Sequence, residues 1–470
     1  MKKILFVLLI YLTSLSGLQA QETGETEPAP VPETEVQASG SSLQWAGYFQ
    51  ADTRFYRKYN HAISWQEYRL DLQAEAKPSD KTHFYSELWV RSLGFPSANT
   101  TADLSRKENV SPGDLDLREA YFDVYGFFLD NLDIRVGRQR IAWGTGDKIN
   151  PTDNLNSLDL EDIYDFGRHF GSDSVKLTYY FTGLTFSAVF IPVFKPALLP
   201  QGDWLTALFP SADMPAGLSL NSASDKLIMP ENTLKQSSSG GIKISKNILG
   251  YDISASYVYT RDSLPVLKKV ILTPVNVLNP YVVNVSSELV YPVIEVVGLD
   301  MSGSVADVGV WAEAAMFIPR KVTQVSELPL PYPYGFHQES VSLDSHNYVK
   351  YLIGMDYTFK NGLYYNLQYL HGFFHERGES NLQNYFLLRL EYKFLDDKVK
   401  IAFLNGSIGI REFEDIEKNY GYVYQPEVIF YPADSTELCL GARLIDGKKT
   451  TMFGQLRDKD EFYFQGKYSF

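Results

Sequence analysis

The 470-residue chain has one cysteine, Cys439, so it can form no internal disulfide, and no CxxC or Cys/His spacing is present for zinc. Past residue 20 no run of eighteen apolar residues occurs, which excludes a helical membrane bundle. Basic residues are in deficit, 43 Lys and Arg against 57 Asp and Glu, and a net charge of −14 argues against a basic surface for nucleic acid. Catalytic signatures are also missing. No GxSxG occurs, and the HGFFH segment carrying His371 and His375 lacks the Glu of HExxH and lies in a strand pattern. The reading therefore assigns no catalytic residue, no cofactor and no metal.

What the chain does have is aromatic rings: 32 Tyr, 29 Phe and 6 Trp, or 14% of residues. Such an excess suits sheets and membrane-interface belts. Lys2 and Lys3 precede the apolar run Ile4–Leu12, and small and polar residues lead to Ala20. That is the layout of a Sec signal peptide over 1–20. Residues 21–41 hold five glutamates, three prolines and no aromatic, and read as a flexible acidic periplasmic leader. An exported chain without an apolar helix is soluble, surface-attached, or a closed barrel in a Gram-negative outer membrane.

From 42 to 470 the recurring period is two. Tyr68, Leu70, Leu72, Ala74 and Ala76 share one face, and Arg69, Asp71, Gln73 and Glu75 the other. Phe386, Leu388, Leu390, Tyr392 and Phe394 alternate with Arg389, Glu391 and Lys393, and Val349, Ile353 and Met355 with Lys350 and Asp356. Short links at 77–81, 128–131, 182–183, 247–250, 298–302, 360–362, 395–398 and 432–435 alternate with nine long ones. Short turns on one side and long loops on the other are the asymmetry of bacterial outer-membrane barrels. Eight short and nine long links join eighteen strands. In the last strand Phe462, Phe464, Tyr468 and Phe470 share one face, the phasing of a terminal strand read by the barrel-assembly machinery. The fold class expected is all-β: a transmembrane antiparallel β-barrel of about eighteen strands, with short periplasmic turns and long extracellular loops.

With the polar phase inward, Arg69, Asp71, Glu75, Arg135, Lys350, Asp356, Arg389 and Glu391 are candidate pore-lining residues on a wall of mixed sign. Arg138 and Arg140 would point to lipid if the phase of 133–136 continued. A bulge at Gly137 is expected to turn both inward, unless both sit at the outer rim. The longest link, 195–238, is the candidate constriction or lid, with Asp203 capping a short helix that carries Trp204, Leu205, Leu208 and Phe209. The oxygen-rich stretch 147–162 has no EF-hand spacing and reads as a solvated loop, or one contacting lipopolysaccharide through divalent ions, rather than a dedicated calcium site.

The segment VGRQRIAWG, followed by NPTDNLN, resembles the porin-like outer-membrane proteins related to the alginate-export porins, and the closing stretch DGKKTTMFGQLRDKDEFYFQGKYSF is similar to their C-terminal ends. The resemblance implies an eighteen-stranded channel in which Arg138, Gln139, Arg140 and Trp143 line or brace the pore near its mouth. Those exporters are arginine-lined, whereas this wall is mixed. The function expected is passive passage of hydrophilic solutes or of a specific small or oligomeric substrate. The alternatives are an outer-membrane barrel hydrolase and a structural or adhesin barrel. Expected partners are outer-membrane lipid and lipopolysaccharide, the barrel-assembly machinery and a hydrophilic solute, with no nucleic acid; whether the barrel is a monomer or a trimer is left open.

Overall fold

The computed structural model describes residues 43–470 except 201–203, 209–213, 215–216, 277–278 and 331–334. The expected signal peptide, 1–20, and leader, 21–41, lie outside the described residues, as does Phe209.

Alternation decides the architecture. On the strand Ile63–Ser79, Arg69 and Asp71 are buried while Tyr68 is exposed. A strand with this pattern must give its two faces different environments. Every strand of the barrel satisfies that by pairing antiparallel with the next barrel strand along the chain, and the sheet closes where Leu43–Tyr56 pairs with Glu461–Ser469. The result is a closed eighteen-stranded barrel with no free edge. Two short segments, Tyr420–Tyr424 and Glu427–Phe430, share one strand position. Pro426 interrupts them because it has no N–H to give the ladder. The chain keeps pairing across the break through Gln425 N to Asn405 O (2.7 Å) and Ala442 N to Pro426 O (3.1 Å).

The outward face is apolar around the whole barrel, with Phe49, Phe122, Ile242, Leu299, Ile353, Phe403, Leu440 and Phe464 all exposed. The inward face carries charge, including Asp52, Arg54, Arg91, Glu313, Lys350 and Arg443, all buried. Polar groups inside and an unsatisfied apolar band outside invert the burial of a soluble sandwich.

Seven of the eight expected short turns fall at or within a few residues of an observed one; 298–302 does not. The strand Val293–Val305 runs straight through it and turns at Ala306, where φ is +54°. Gly298 is there for space, not for turning: a Cβ would lie 2.5 Å from Ser256 Oγ and 2.9 Å from Thr152 Cγ2.

Three of the long links are not loops in the simple sense. Ser219–Ile228, Val266–Asn276, Asn279–Val290, Val322–Leu328 and Phe336–Leu343 form a separate five-stranded sheet at the long-loop end. Its hairpins are antiparallel, but the pairings between links are parallel. Leu272, Val283 and Leu328 are its small buried core.

Candidate functional site

The link 140–171, between the strands Leu132–Gln139 and Ser172–Phe181, does not leave the barrel. It folds into the lumen, where Leu155, Leu160, Ile163, Asp159 and Asp162 are all buried. A chain entering a charged lumen must satisfy its own backbone and side-chain polar groups there. The wall supplies partners in two ways.

The first is a single carboxylate, Glu313, 3% exposed on the strand Val308–Pro319. It accepts hydrogen bonds from Gly146 N (2.9 Å), Asn150 Nδ2 (3.2 Å), Thr152 N (3.2 Å) and Thr152 Oγ1 (2.6 Å). A charged acceptor taking four donors is the stronger kind of hydrogen-bonded anchor. Next to it, Asn366 Nδ2 and Gln368 Nε2 donate to Asp147 at 2.7 and 3.0 Å.

The second is a set of arginines. Arg54 bonds both Asp162 of the folded-in link and Asp52 of its own strand. Arg91 pairs with Glu161 and Asp114, and Arg118 of the wall shares Asp159 with Arg168 of the link itself. Trp89 sits among four guanidinium groups, with Arg69, Arg118, Arg168 and Arg91 at 4.0, 4.2, 5.4 and 5.7 Å from its ring. Its indole N–H donates to Asp71 at 2.6 Å. Burial pushes the Asp162 carboxyl up, yet the Arg54 guanidinium outweighs it and holds the group well below the usual carboxylate range. Burial and Arg140 together push the His169 ring down.

These contacts correct the reading of 147–162 as a solvated stretch. Its acids face a wall that carries arginines in the inward phase, and pairing replaces water. The opposite side of the lumen is different. Between Asp147–Phe166 and the strands from Tyr348 to Phe430 lies a cavity of about 530 Å³. Arg389 bridges Glu391 (2.8 Å) and Glu427 (3.2 Å) on its wall, and Lys400, Gln425, Asn366, Gln368 and Asn405 add to the polar part of the lining. A second cavity, of about 240 Å³, opens toward the long-loop end, and Lys148 and Ile149 border both.

The sequence-derived candidates distribute as follows. Arg69 and Asp71 are inward but lie in the packed arginine side. Glu75 is nearer the short turns, beside Lys77 and His83. Arg135 pairs with Asp123 at 2.7 Å. Asp356 accepts from the Tyr364 hydroxyl (3.1 Å), and Lys350 Nζ donates to Phe373 O (2.7 Å). Arg389 and Glu391 line the larger cavity.

Arg138 is a correction. The register from Asp133 to Gln139 is unbroken, so Arg138 stays on the outward face, opposite exposed Asp173 at 2.8 Å, while Ser172 and Ser174 on either side of Asp173 are buried. No bulge forms at Gly137. The glycine instead takes φ +131° and lets the Tyr121 backbone approach, where a Cβ would meet Ala120 O at 2.3 Å. The phase reset lies on the neighbouring strand, Asp114–Val124, whose pairing skips Arg118. That bulge lets adjacent Arg118 and Glu119 both serve the link, one on Asp159 and the other accepting from Arg140 N. Arg140 lies past the strand end and holds Asp153 and Asn156.

The link 195–238 covers the folded-in segment rather than entering beneath it. Trp204 stacks on Tyr56 and meets Tyr164 edge-on. Leu208 is buried in the main apolar cluster with Leu160, Ile163, Met452 and Phe453, while Leu205 is exposed. Phe462, Phe464, Tyr468 and Phe470 all lie exposed on the outer face.

The sequence reading did not assign Glu313, Asp147, Arg118 and Arg168 as anchors. The signal available was WGTGDKINPTD itself: small and donor-rich residues suited to wrapping one carboxylate.

No protein-family model and no curated protein matches the chain. Among solved structures the fold is similar to OmpF of Salmonella typhi in complex with daunomycin, at 12% identity and TM-score 0.39, over 92% of this chain and 98% of that one. It is also similar to a loop L8 deletion mutant of OmpT, an outer membrane protein of Vibrio cholerae, at 10% identity and TM-score 0.40, over 92% and 99%.

Proposed function

We propose that this protein is an outer-membrane channel through which hydrophilic solutes pass without energy coupling. The observation that carries the reading is the 530 Å³ polar cavity inside a closed barrel whose outer face is apolar. The folded-in link 140–171 narrows the lumen and leaves the larger free space in front of the strands from Tyr348 to Phe430, so solutes pass along the wall of Arg389, Glu391 and Glu427. The short turns face the periplasm and the long loops face outward, in contact with lipopolysaccharide. Sec export and insertion by the barrel-assembly machinery through the Phe462–Phe470 face belong to the same reading. So does the resemblance to the alginate-export porins, which rests on VGRQRIAWG; the mixed wall favours solutes other than a long polyanion. The reading assigns no enzymatic step to the lumen. Single-channel recording of the refolded full chain in planar bilayers tests it. Discrete conductance steps are expected, and a protein that inserts but stays silent would overturn it.

A further inference from the structure

The smaller cavity has a charge imbalance that the larger one lacks. Five cations line it, Lys148, Lys195, Arg261, Lys350 and Arg377, against three carboxylates, Asp153, Asp173 and Asp262. All three carboxylates are already neutralised: Asp153 by Arg140, Asp173 by Arg138 and Asp262 by Arg377. Two of those arginines, Arg138 and Arg140, are not part of the lining. Lys195, Arg261 and Lys350 then have no carboxylate within 4.0 Å among the described residues.

Their donors end on backbone carbonyls instead. Lys195 Nζ reaches Gly171 O (2.9 Å), Arg261 reaches Gln236 O and Tyr291 O (2.7 and 2.8 Å), and Lys350 Nζ reaches Phe373 O and Phe374 O (2.7 and 3.3 Å). Carbonyls satisfy hydrogen bonds but carry no net charge. The carboxylates that act on Lys350 from further away are Asp262, held by Arg377, and Glu376, whose hydrogen-bond donors, Phe373 N, Gln383 N and the Tyr385 hydroxyl, are neutral. Lys350 thus keeps a distant counter-charge, whereas Lys195 and Arg261 end on carbonyls. Charge withdrawn from water without a counter-ion is costly, and an incoming anion removes that cost.

The rest of the lining mixes neutral polar side chains, such as Asn154, Asn156, Ser239 and Thr260, with an apolar set, Ile149, Leu155, Ile191, Ile294, Phe317 and Phe374, that an apolar body can pack against. The larger cavity, by contrast, is balanced, with Lys148, Arg389 and Lys400 against Asp147, Glu391 and Glu427. The excess of positive charge is thus local, in a chain whose net charge is −14.

We propose that the 240 Å³ cavity is a binding station for small organic anions that join one carboxylate to an apolar body, met by solutes before they reach the balanced wall beyond Lys148 and Ile149. The inference rests on the channel reading for its role in passage, but not for binding itself.

Benzoate, benzyl alcohol and benzylammonium share one ring and differ in charge, which makes them the probes. In planar bilayers in potassium chloride, benzoate is expected to block current at concentrations about tenfold or more below those needed for the other two. The Lys148→Gln/Lys195→Gln double variant is expected to weaken the benzoate block about tenfold or more. Lys148→Gln alone, at an exposed side chain, gives a smaller shift in the same direction and keeps the test available if the double variant fails to fold. Calorimetric titration of benzoate into the full chain in detergent separates the two readings. Binding by a silent barrel would sink the channel and leave the station standing. A conducting barrel that treats the three probes alike, or a folded variant with unchanged benzoate block, would overturn the station and leave the channel.

Discussion

Both sides of the lumen carry arginines and carboxylates on inward-facing positions, yet one side is packed and the other holds a cavity. On the side running from Thr436–Gly447 through the barrel closure to Leu132–Gln139, three wall arginines, Arg54, Arg91 and Arg118, reach across to acids of the folded-in link. On the side from Tyr348 to Phe430, Arg389 spends its donors on Glu391 and Glu427 of the wall itself. The difference is therefore not in how much charge each wall has but in where its counter-charge resides. A wall whose arginines are paired through a separate chain segment fixes that segment. A wall whose charges are paired among themselves leaves water in front of it.

The comparison breaks most directly at Arg54. Arg54→Ala leaves Asp52 and Asp162 buried without their shared partner, and should cost roughly 3–5 kcal/mol. Urea denaturation of the refolded barrel followed by tryptophan fluorescence measures it. A loss below about 1 kcal/mol would show that the arginine pairing does not hold the link. Conductance of the same variant should rise if the link is freed.

The two sides should also fail in different pH ranges. The folded-state pKa of Asp162 is depressed, so its contribution is present above the ordinary carboxylate value of about 3.9 and lost as pH falls below it. His375 lies in the link 372–383 at the open side, its Nδ1 enclosed without a partner among the described residues. Burial, with Lys350 and Arg377 nearby, lowers its pKa to about 3. At neutral pH the ring is neutral in both folded and unfolded chains. Below about 6.5 only the unfolded chain takes up the proton, so stability falls by up to about 1.4 kcal/mol per pH unit as far as pH 3. Unfolding midpoints measured from pH 7 to 4 should flatten in His375→Leu and keep their slope in Asp162→Asn.

The smallest stability effect is expected at Arg389→Gln, about 1 kcal/mol or less, because its side chain is 30% exposed and borders the larger cavity. Its effect should instead be on ion selectivity. The reversal potential across a salt gradient should move toward cations, and an unmoved potential would argue that solutes do not pass this wall.

Much of this was readable beforehand. The alternation at 68–76 and 348–359 placed both faces correctly, because a strand has only two phases and a lipid face tolerates little charge. Where polar residues stand next to each other the phase cannot be read, and Arg118–Glu119 hid a bulge that the glycine at 137 falsely advertised. The five-stranded outer sheet was missed because its strands obey the same period as the barrel's, and only pairing distinguishes them. The fate of 147–162 was hidden for another reason. Its acids and donors look like any solvated loop until their partners are known to face them: Arg54 and Arg118 on other strands for the acids, and Glu313, more than a hundred residues on, for the donors.

That outer sheet also sets how the mouth can vary. Because links 192–238, 262–292 and 320–347 are joined by parallel pairing, a residue inserted in one strand throws a neighbouring link out of register. Length variation and displayed foreign peptides should therefore be accepted at hairpin tips and refused along the strands Val266–Asn276 and Asn279–Val290, so the three links behave as one inherited unit and not as three independent surface variables.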